Sequence, residues 1–213
     1  ASVGVVPGIT VFLATTLLVS LNALGLSNIG AALVTSILFP ISLPLLALLI
    51  KYLLVGNSWG GKNSAPFWSV RHFAYFLAQD CFFRLMSSFM STIAGTALAN
   101  PLLRRFGCRI GQRSLIGLPI QLSDWHAVDI GDDCVINGQM QLHSFEHRIL
   151  NVTRTKIGNN TVINHGSMLM GGATLADNVT VSPQSLILKA MQLPPGLHTG
   201  SPTQPVNPEP LSH

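Results

Sequence analysis

Charge is what this sequence has least of. Asp, Glu, Lys and Arg make up 9% of its 213 residues, against about a quarter in an ordinary globular chain. The deficit is local, because no acidic, basic or histidine residue precedes Lys51. About 20 apolar residues suffice to cross a bilayer, and a soluble core helix rarely lacks charge on every face over a longer run. The uncharged run is too long for a secretory signal and has no basic n-region. Cysteine is sparse too. Cys81, Cys108 and Cys134 show no CxxC spacing, which argues against a disulfide framework and a zinc site. No Gly-rich phosphate loop or EF-hand pattern occurs. The net charge of +4 is scattered apart from Arg104, Arg105, Arg109 and Arg113. These follow an apolar segment, so attraction to anionic lipid explains them more simply than nucleic acid. Neither a nucleic-acid partner nor a metal is expected.

The uncharged run divides into two candidate spans, Val3 to Leu24 and Ile29 to Leu54, with Gly25-Leu26-Ser27-Asn28 as the turn. Pro40 and Pro44 should bend the second span, as membrane helices tolerate. Lys51, Lys62 and Arg71 follow it closely, and the positive-inside rule places the downstream part in the cytoplasm. The expectation is an integral membrane protein with residues 1–56 as a transmembrane hairpin. The chain opens on Ala1, as expected of an excised piece or a processed product. Residues 56–66 read as a loop, with Gly60-Gly61 and Pro66 as breakers. From Phe67 to about Leu98 an aromatic-rich segment carries Arg71, Asp80 and Arg84. Two readings stay open for it: an amphipathic helix in the headgroup plane, or one packed on the downstream domain. Asn100-Pro101 is expected to end it, which gives 57–103 as loop and amphipathic helix.

The organising pattern lies further on. A branched aliphatic recurs every six positions at Ile157, Ile163, Leu169, Leu175, Val181 and Ile187. Four positions after each of the first five comes a small or moderate residue: Thr161, Ser167, Ala173, Val179 and Ser185. Neither a 3.6-residue nor a two-residue period yields six, whereas hexapeptide repeats build parallel β-helices. Each aliphatic points to the axis, and three six-residue faces complete one turn. Upstream, Ile130, Ile136 and Leu142 form one set and Ile110, Ile116 and Leu122 another, with a small slip between Leu122 and Ile130. From His143 to Lys156 the chain leaves the register. Insertions in a solenoid often lie on its binding face, and this one holds His143-Ser144-Phe145-Glu146-His147-Arg148. The β-helix is bounded at 104–193, and 194–213 reads as a Pro-rich tail.

Ile130-Gly-Asp-Asp-Cys-Val-Ile, the His143 to Arg148 segment, Ile157-Gly-Asn-Asn-Thr-Val-Ile and Gly200-Ser201-Pro202 together resemble the hexapeptide-repeat acyltransferases. In that superfamily a His opens a loop of form H-P-x-x-x-x-R, and the domain closes near G-N-P-A. Here Ser144 replaces the Pro, and Gly-Ser-Pro-Thr replaces Gly-Asn-Pro-Ala. The order of apolar spans, Lys51-Tyr-Leu-Leu-Val-Gly56, Leu102-Leu-Arg-Arg-Phe-Gly107-Cys-Arg-Ile-Gly111 and then coils is similar to another group. These are the membrane-embedded C-terminal regions of stand-alone non-ribosomal peptide synthetases of the poly-lysine synthetase type. The resemblances imply an α + β architecture: a transmembrane helical hairpin and amphipathic helix followed by a left-handed parallel β-helix. They also imply oligomers or docking with sister β-helix domains. The implied acyl donor is a thioester of CoA or of carrier-bound phosphopantetheine.

A thioester carbonyl is already activated, so the acceptor amine or hydroxyl needs a base titrating near neutrality, and His is the usual one. His143 is the candidate base. Glu146 is a candidate to fix its tautomer or bind a substrate ammonium, and Arg148 to hold a carboxylate or phosphate. The plainer alternative is a turn-capping His143 with a surface Glu146–Arg148 ion pair. Gly171-Gly172 and Gly200-Ser201-Pro202 are candidates for close backbone approach of a pantetheine arm, or simply tight coil turns. His165 reads as turn-facing, His147 as solvent-exposed, and Asp129 and Asp132-Asp133 as corner residues bonding their own backbone. Two function classes follow: a membrane-anchored acyltransferase, or a non-catalytic β-helix scaffold that positions a carrier domain at the membrane.

Overall fold

The computed structural model describes residues 5–56, 63–117 and 124–206. The uncharged run forms two helices, α1 (Val5–Ala23) and α2 (Asn28–Leu54). Ser27 caps α2 by accepting from the Gly30 N–H, and Pro40 and Pro44 lie within the helix. Among the described residues the 27-residue α2 is long and apolar enough to cross a membrane, its most apolar 18-residue stretch having a mean hydropathy of 2.4. α1 carries no charged residue along its 19 residues.

The connecting segment departs from the loop expected over 56–66. Asn63–Pro66 is a strand, paired antiparallel with Ile149–Val152. Pro66 sits at its outer end, where a missing N–H costs least. α3 (Val70–Ile93) follows, capped by the Ser69 hydroxyl. It buries Tyr75, Ala78, Phe82, Leu85, Met86 and Met90 in one continuous core with the β-helix, as the packed reading expects, while Val70 and Phe73 stay exposed. Asp80 and Arg84 pair on its half-buried side at 2.8 Å. Asn100-Pro101 does not end a helix. It lies in the first turn of α4 (Ala99–Arg105), where proline removes only an N–H that has no intrahelical partner.

The rest is a β-helix of three parallel walls. The first carries Arg109–Ile110, Val128–Ile130, Thr155–Ile157, Thr174–Leu175 and Gln192–Leu193. The second carries Leu115–Ile116, Val135–Ile136, Val162–Ile163, Val179–Val181 and Gly196–Thr199. The third carries Gln139–Gln141, Met168–Met170 and Leu186–Ile187. Ile163 pairs with Val181, Leu169 with Ile187 and Leu175 with Leu193, so one coil takes 18 residues as the six-residue period requires. Ile130 pairs with Ile157, 27 positions on, so the insertion after Leu142 adds nine residues. Ile110 pairs with Ile130, 20 positions on, so the earlier slip adds two. Leu122 lies outside the described residues.

Inside, the stacks Ile110–Ile130–Ile157–Leu175–Leu193 and Ile116–Ile136–Ile163–Val181 are buried throughout, each side chain stabilising the coil by about 1.5–3 kcal/mol. Corner residues tie coil to coil rather than to their own backbone. Asp132 Oδ1 accepts from the Gln112 N–H at 2.6 Å, Asn159 Oδ1 from the Asp132 N–H at 2.8 Å, and Asp177 Oδ1 from the Asn159 N–H at 2.7 Å. The small residues at the other corners are buried too: Thr161, Ser167, Ala173, Val179 and Ser185. Asp129 meets Arg154 at 2.6 Å. The domain also runs past 193. Gly196–Thr199 adds a further strand, and Gln204–Pro205 turns back antiparallel on it; residues 207–213 lie outside the described set. Cys81, Cys108 and Cys134 are free and buried.

The corner ladder explains the Ile-Gly pairs. A Cβ on Gly158 would stand 2.5 Å from both the Ala176 carbonyl carbon and Asp177 Oδ1. Gly158→Ala is expected to cost about 1–3 kcal/mol by overpacking, measured as a lowered midpoint in chemical denaturation. An unchanged midpoint would mean the corners yield.

Candidate functional site

The insertion is a β-hairpin rather than an irregular loop. His143–Glu146 pairs antiparallel with Ile149–Val152, and the chain rejoins the first wall at Thr155, before the expected Lys156. The two-residue turn is His147-Arg148, at φ of 50° and 62°, the pair of positive angles a type I′ hairpin needs. With Asn63–Pro66 on the other edge, the hairpin makes a three-stranded sheet that leans on α3.

Side chains on a strand alternate between faces, and this sorts the candidate residues. His143 and Phe145 face α3. The ring of His143 lies 6.5 Å from that of Tyr75 and 5.4 Å from that of Phe145, which stacks on Phe76 at 6.0 Å. Ser144 and Glu146 face the other way, toward Lys189 of the coils. Lys189 Nζ donates to Ser144 at 3.3 Å and ion-pairs with Glu146. That lysine holds the Glu146 carboxyl below its usual range. Glu146, three residues from His143, is therefore on the wrong face to set its tautomer. Arg148 is exposed at the hairpin tip, where its carbonyl accepts from the Phe67 N–H at 2.9 Å.

The orienting group is Asp124. His143 Nδ1 lies 2.9 Å from Asp124 Oδ2, which also accepts the Leu142 N–H at 3.0 Å. Asp124 is fully buried, and the His143 side chain is 17% exposed. A carboxylate only accepts, so Nδ1 carries the proton and the Nε2 lone pair is left to act as a base. The Asp124 hydrogen bond raises the His143 pKa against the opposing effect of burial. Sequence reasoning missed Asp124; the signal was the slip between Leu122 and Ile130, which holds it. His126 on the same slip is buried, and that burial, with Lys51 and Arg154 adding, lowers its pKa to about 4.

Beside His143 a cavity of about 10 Å³ is bordered by Gln141, Ser144, Thr153, Gly171 and Lys189. That is room for about one water. Gly171 is close-packed, since a Cβ there would stand 2.4 Å from the Leu142 carbonyl oxygen. Gly172, at φ of 82°, donates its N–H to Thr155 at 2.9 Å. Gly200-Ser201-Pro202 runs beyond Leu186–Ile187, whose Leu186 N–H donates to the Gly200 carbonyl at 3.0 Å. This is three strand spacings from Gln139–Gln141, roughly 14 Å. Gly171 thus borders the His143 cleft, and Gly200–Pro202 does not. His165 and His147 are both exposed at turns. Among the described residues no group of His, Cys, Asp and Glu is arranged to hold a metal.

Residues 154–189 match the family described as bacterial transferase hexapeptide (six repeats). That match takes in 36 residues of the coils. A delta-poly-L-ornithine synthetase of Acinetobacter baumannii (strain AB307-0294) is 25% identical over 187 residues, 84% of this chain. The match spans only 14% of that protein's length. Among solved structures, a hexapeptide-repeat acetyltransferase from Vibrio cholerae is 15% identical, covering 61% of this chain and 91% of its own, at a TM-score of 0.47. A maltose O-acetyltransferase from Clostridium difficile 630 is 22% identical, covering 50% and 72%, at a TM-score of 0.40.

The raised His143 pKa has a definite sign. Its contribution to stability is fully present below the pKa of a free imidazole, about 6.5, and fades as pH rises through the folded value. An NMR titration of the intact protein is expected to place His143 above that of a free imidazole, and Asp124→Asn to bring it down. No shift between the two proteins would dissolve the pair as a functional unit.

Proposed function

We propose that this chain is a membrane-anchored acyltransferase module in which His143 is the general base. The observation that carries the reading is the Asp124–His143 pair, fixed where the hairpin leaves the β-helix. His143 Nε2 accepts the proton of an amine or hydroxyl as it attacks the thioester carbonyl. The new C–N or C–O bond forms, the C–S bond breaks, and the proton passes on to the departing thiolate. Rigid mounting matters because misplacing a base by about 1 Å can cost on the order of a hundredfold in rate.

The donor is a thioester of CoA or of carrier-bound phosphopantetheine. The similarity to a delta-poly-L-ornithine synthetase of Acinetobacter favours an aminoacyl group on a carrier and an amine acceptor. Glu146, now ion-paired with Lys189, would meet an acceptor ammonium, and the arm would run past Gly171 and Gly172. Gly200, Ser201 and Pro202 would meet only its far end, and Arg148 a substrate carboxylate beyond the hairpin tip. The His143 cavity is too small to enclose a pantetheine arm. A second β-helix, from another copy or a sister domain, is therefore proposed to supply the opposite wall. α2 anchors the module in lipid with the β-helix on the cytoplasmic side. The same small cavity favours one other reading, a non-catalytic scaffold that positions a carrier domain.

Thiol release from acyl-CoA and from an aminoacylated carrier, with amine acceptors, separates the two. Acceptor-dependent release is expected, falling about 10²–10⁴-fold in His143→Ala. Its acid limb is expected to lie above that of a free imidazole and to move down in Asp124→Asn. Equal rates in wild type and His143→Ala would remove His143 as the base, and no turnover with either donor would leave the scaffold.

A further inference from the structure

We propose a binding site for one anionic phospholipid in the apolar groove between α2, α3 and α4, with Arg105 as the contact for its phosphate. The groove encloses about 370 Å³, within the size range of small-molecule sites. Pro44 and Leu45 of α2, Phe89 and Ile93 of α3 and Leu102 of α4 line it, and Arg105 is the one charged residue among its nine lining residues. An apolar trough with a single cation at its rim matches an amphiphile that has one negative end.

The neighbouring arginines single out Arg105. Arg104 donates to the carbonyls of Ile110 and Gly111 at 2.9 and 2.7 Å. Arg113 is bidentate to Asp133 at 2.6 Å, and Arg109 approaches Asp129 at 3.8 Å. Each of these three is engaged by the coils. Arg105 is exposed, and no hydrogen bond or ion pair to it forms among the described residues. Among the described residues its charge has no counterpart. The apolar side chains around it, Ile41, Leu45 and Leu98, are 50%, 62% and 69% exposed, so the trough opens outward from the helices. An acyl chain lies against Leu45, Phe89 and Ile93, and the phosphate meets the guanidinium, which suits phosphate oxygens better than an ammonium does. A neutral lipid fills the trough equally well but carries no net negative charge to meet Arg105. The inference rests on the membrane-anchored reading of α2.

Native mass spectrometry of the detergent-purified full chain tests it with phosphatidylglycerol and phosphatidylcholine as probes. Wild type is expected to retain one phosphatidylglycerol per chain with roughly fivefold preference over phosphatidylcholine, the effect of one basic residue at an anionic headgroup. Arg105→Gln should keep retention and lose the preference. Leu45→Trp and, as an independent plug, Ile41→Trp should lose both lipids while the thermal melt of the β-helix stays unchanged. Equal retention of the two lipids by wild type, or retention unaffected by both plugs, would overturn the site. So would a mass doubling abolished by the plugs, which assigns the groove to a second copy. Flotation on phosphatidylcholine vesicles reads the anchoring separately. A chain that floats but shows no preference sinks only the groove, and one that does not float sinks the anchoring.

Discussion

Everything in this domain answers to the 18-residue coil. Parallel strands stack at a spacing of about 4.8 Å, so each corner must present the same backbone direction, and the same small volume, to the coil above and below. Asp132, Asn159 and Asp177 meet that requirement by accepting an N–H from the preceding coil. Gly111, Gly131 and Gly158 meet it by having no Cβ where those acceptors sit. The aliphatic stacks supply the driving force, and the corner ladder supplies the register. A coil that satisfies both is closely constrained, and the chain departs from it only where the count is broken.

It is broken twice, and both breaks serve one site. The two-residue slip brings Asp124 inward, and the nine-residue excursion begins at His143. Placed on successive interruptions of the same solenoid, the carboxylate and the imidazole come within 2.9 Å although 19 residues separate them. The carboxylate also accepts the Leu142 N–H, so it fixes the backbone and the ring together. α3 closes one side with Tyr75 against the imidazole and Phe76 against Phe145, while Lys189 and Glu146 pair on the opposite face of the hairpin.

The repeating part of this architecture was legible because a six-residue period leaves a mark at every coil. Ile157 through Ile187 marked the walls, and the loss of register after Leu142 marked the insertion. What failed to show were pairings with no period. The strand Asn63–Pro66 looks like a breaker-rich loop, since its partner lies some 85 residues on and its composition is Asn, Ser, Ala and Pro. Asp124 sat in a gap too short to attract notice. Glu146 was the nearer carboxylate in sequence, but an odd step along a strand turns it to the opposite face. The Pro-rich stretch after Leu193 looked like tail, yet Gly196–Thr199 completes a wall and buries His198 at the end of the Ile116–Val181 stack.

That last strand also limits how the domain can grow. An exposed parallel wall is a template for further strands, and solenoids extend readily end to end. Here Gln204–Pro205 folds back antiparallel along the outer edge of the second wall, ending on a proline that has no N–H to offer. Residues 200–203 cover the edge of the third, with the Thr203 N–H bonded to the Leu186 carbonyl at 2.9 Å. At the opposite end α4 packs under the first coil, with Leu103 and Phe106 fully buried. With two of three walls sealed at one end and α4 at the other, the strand Gln192–Leu193 is the parallel edge that the β-helix leaves open among the described residues.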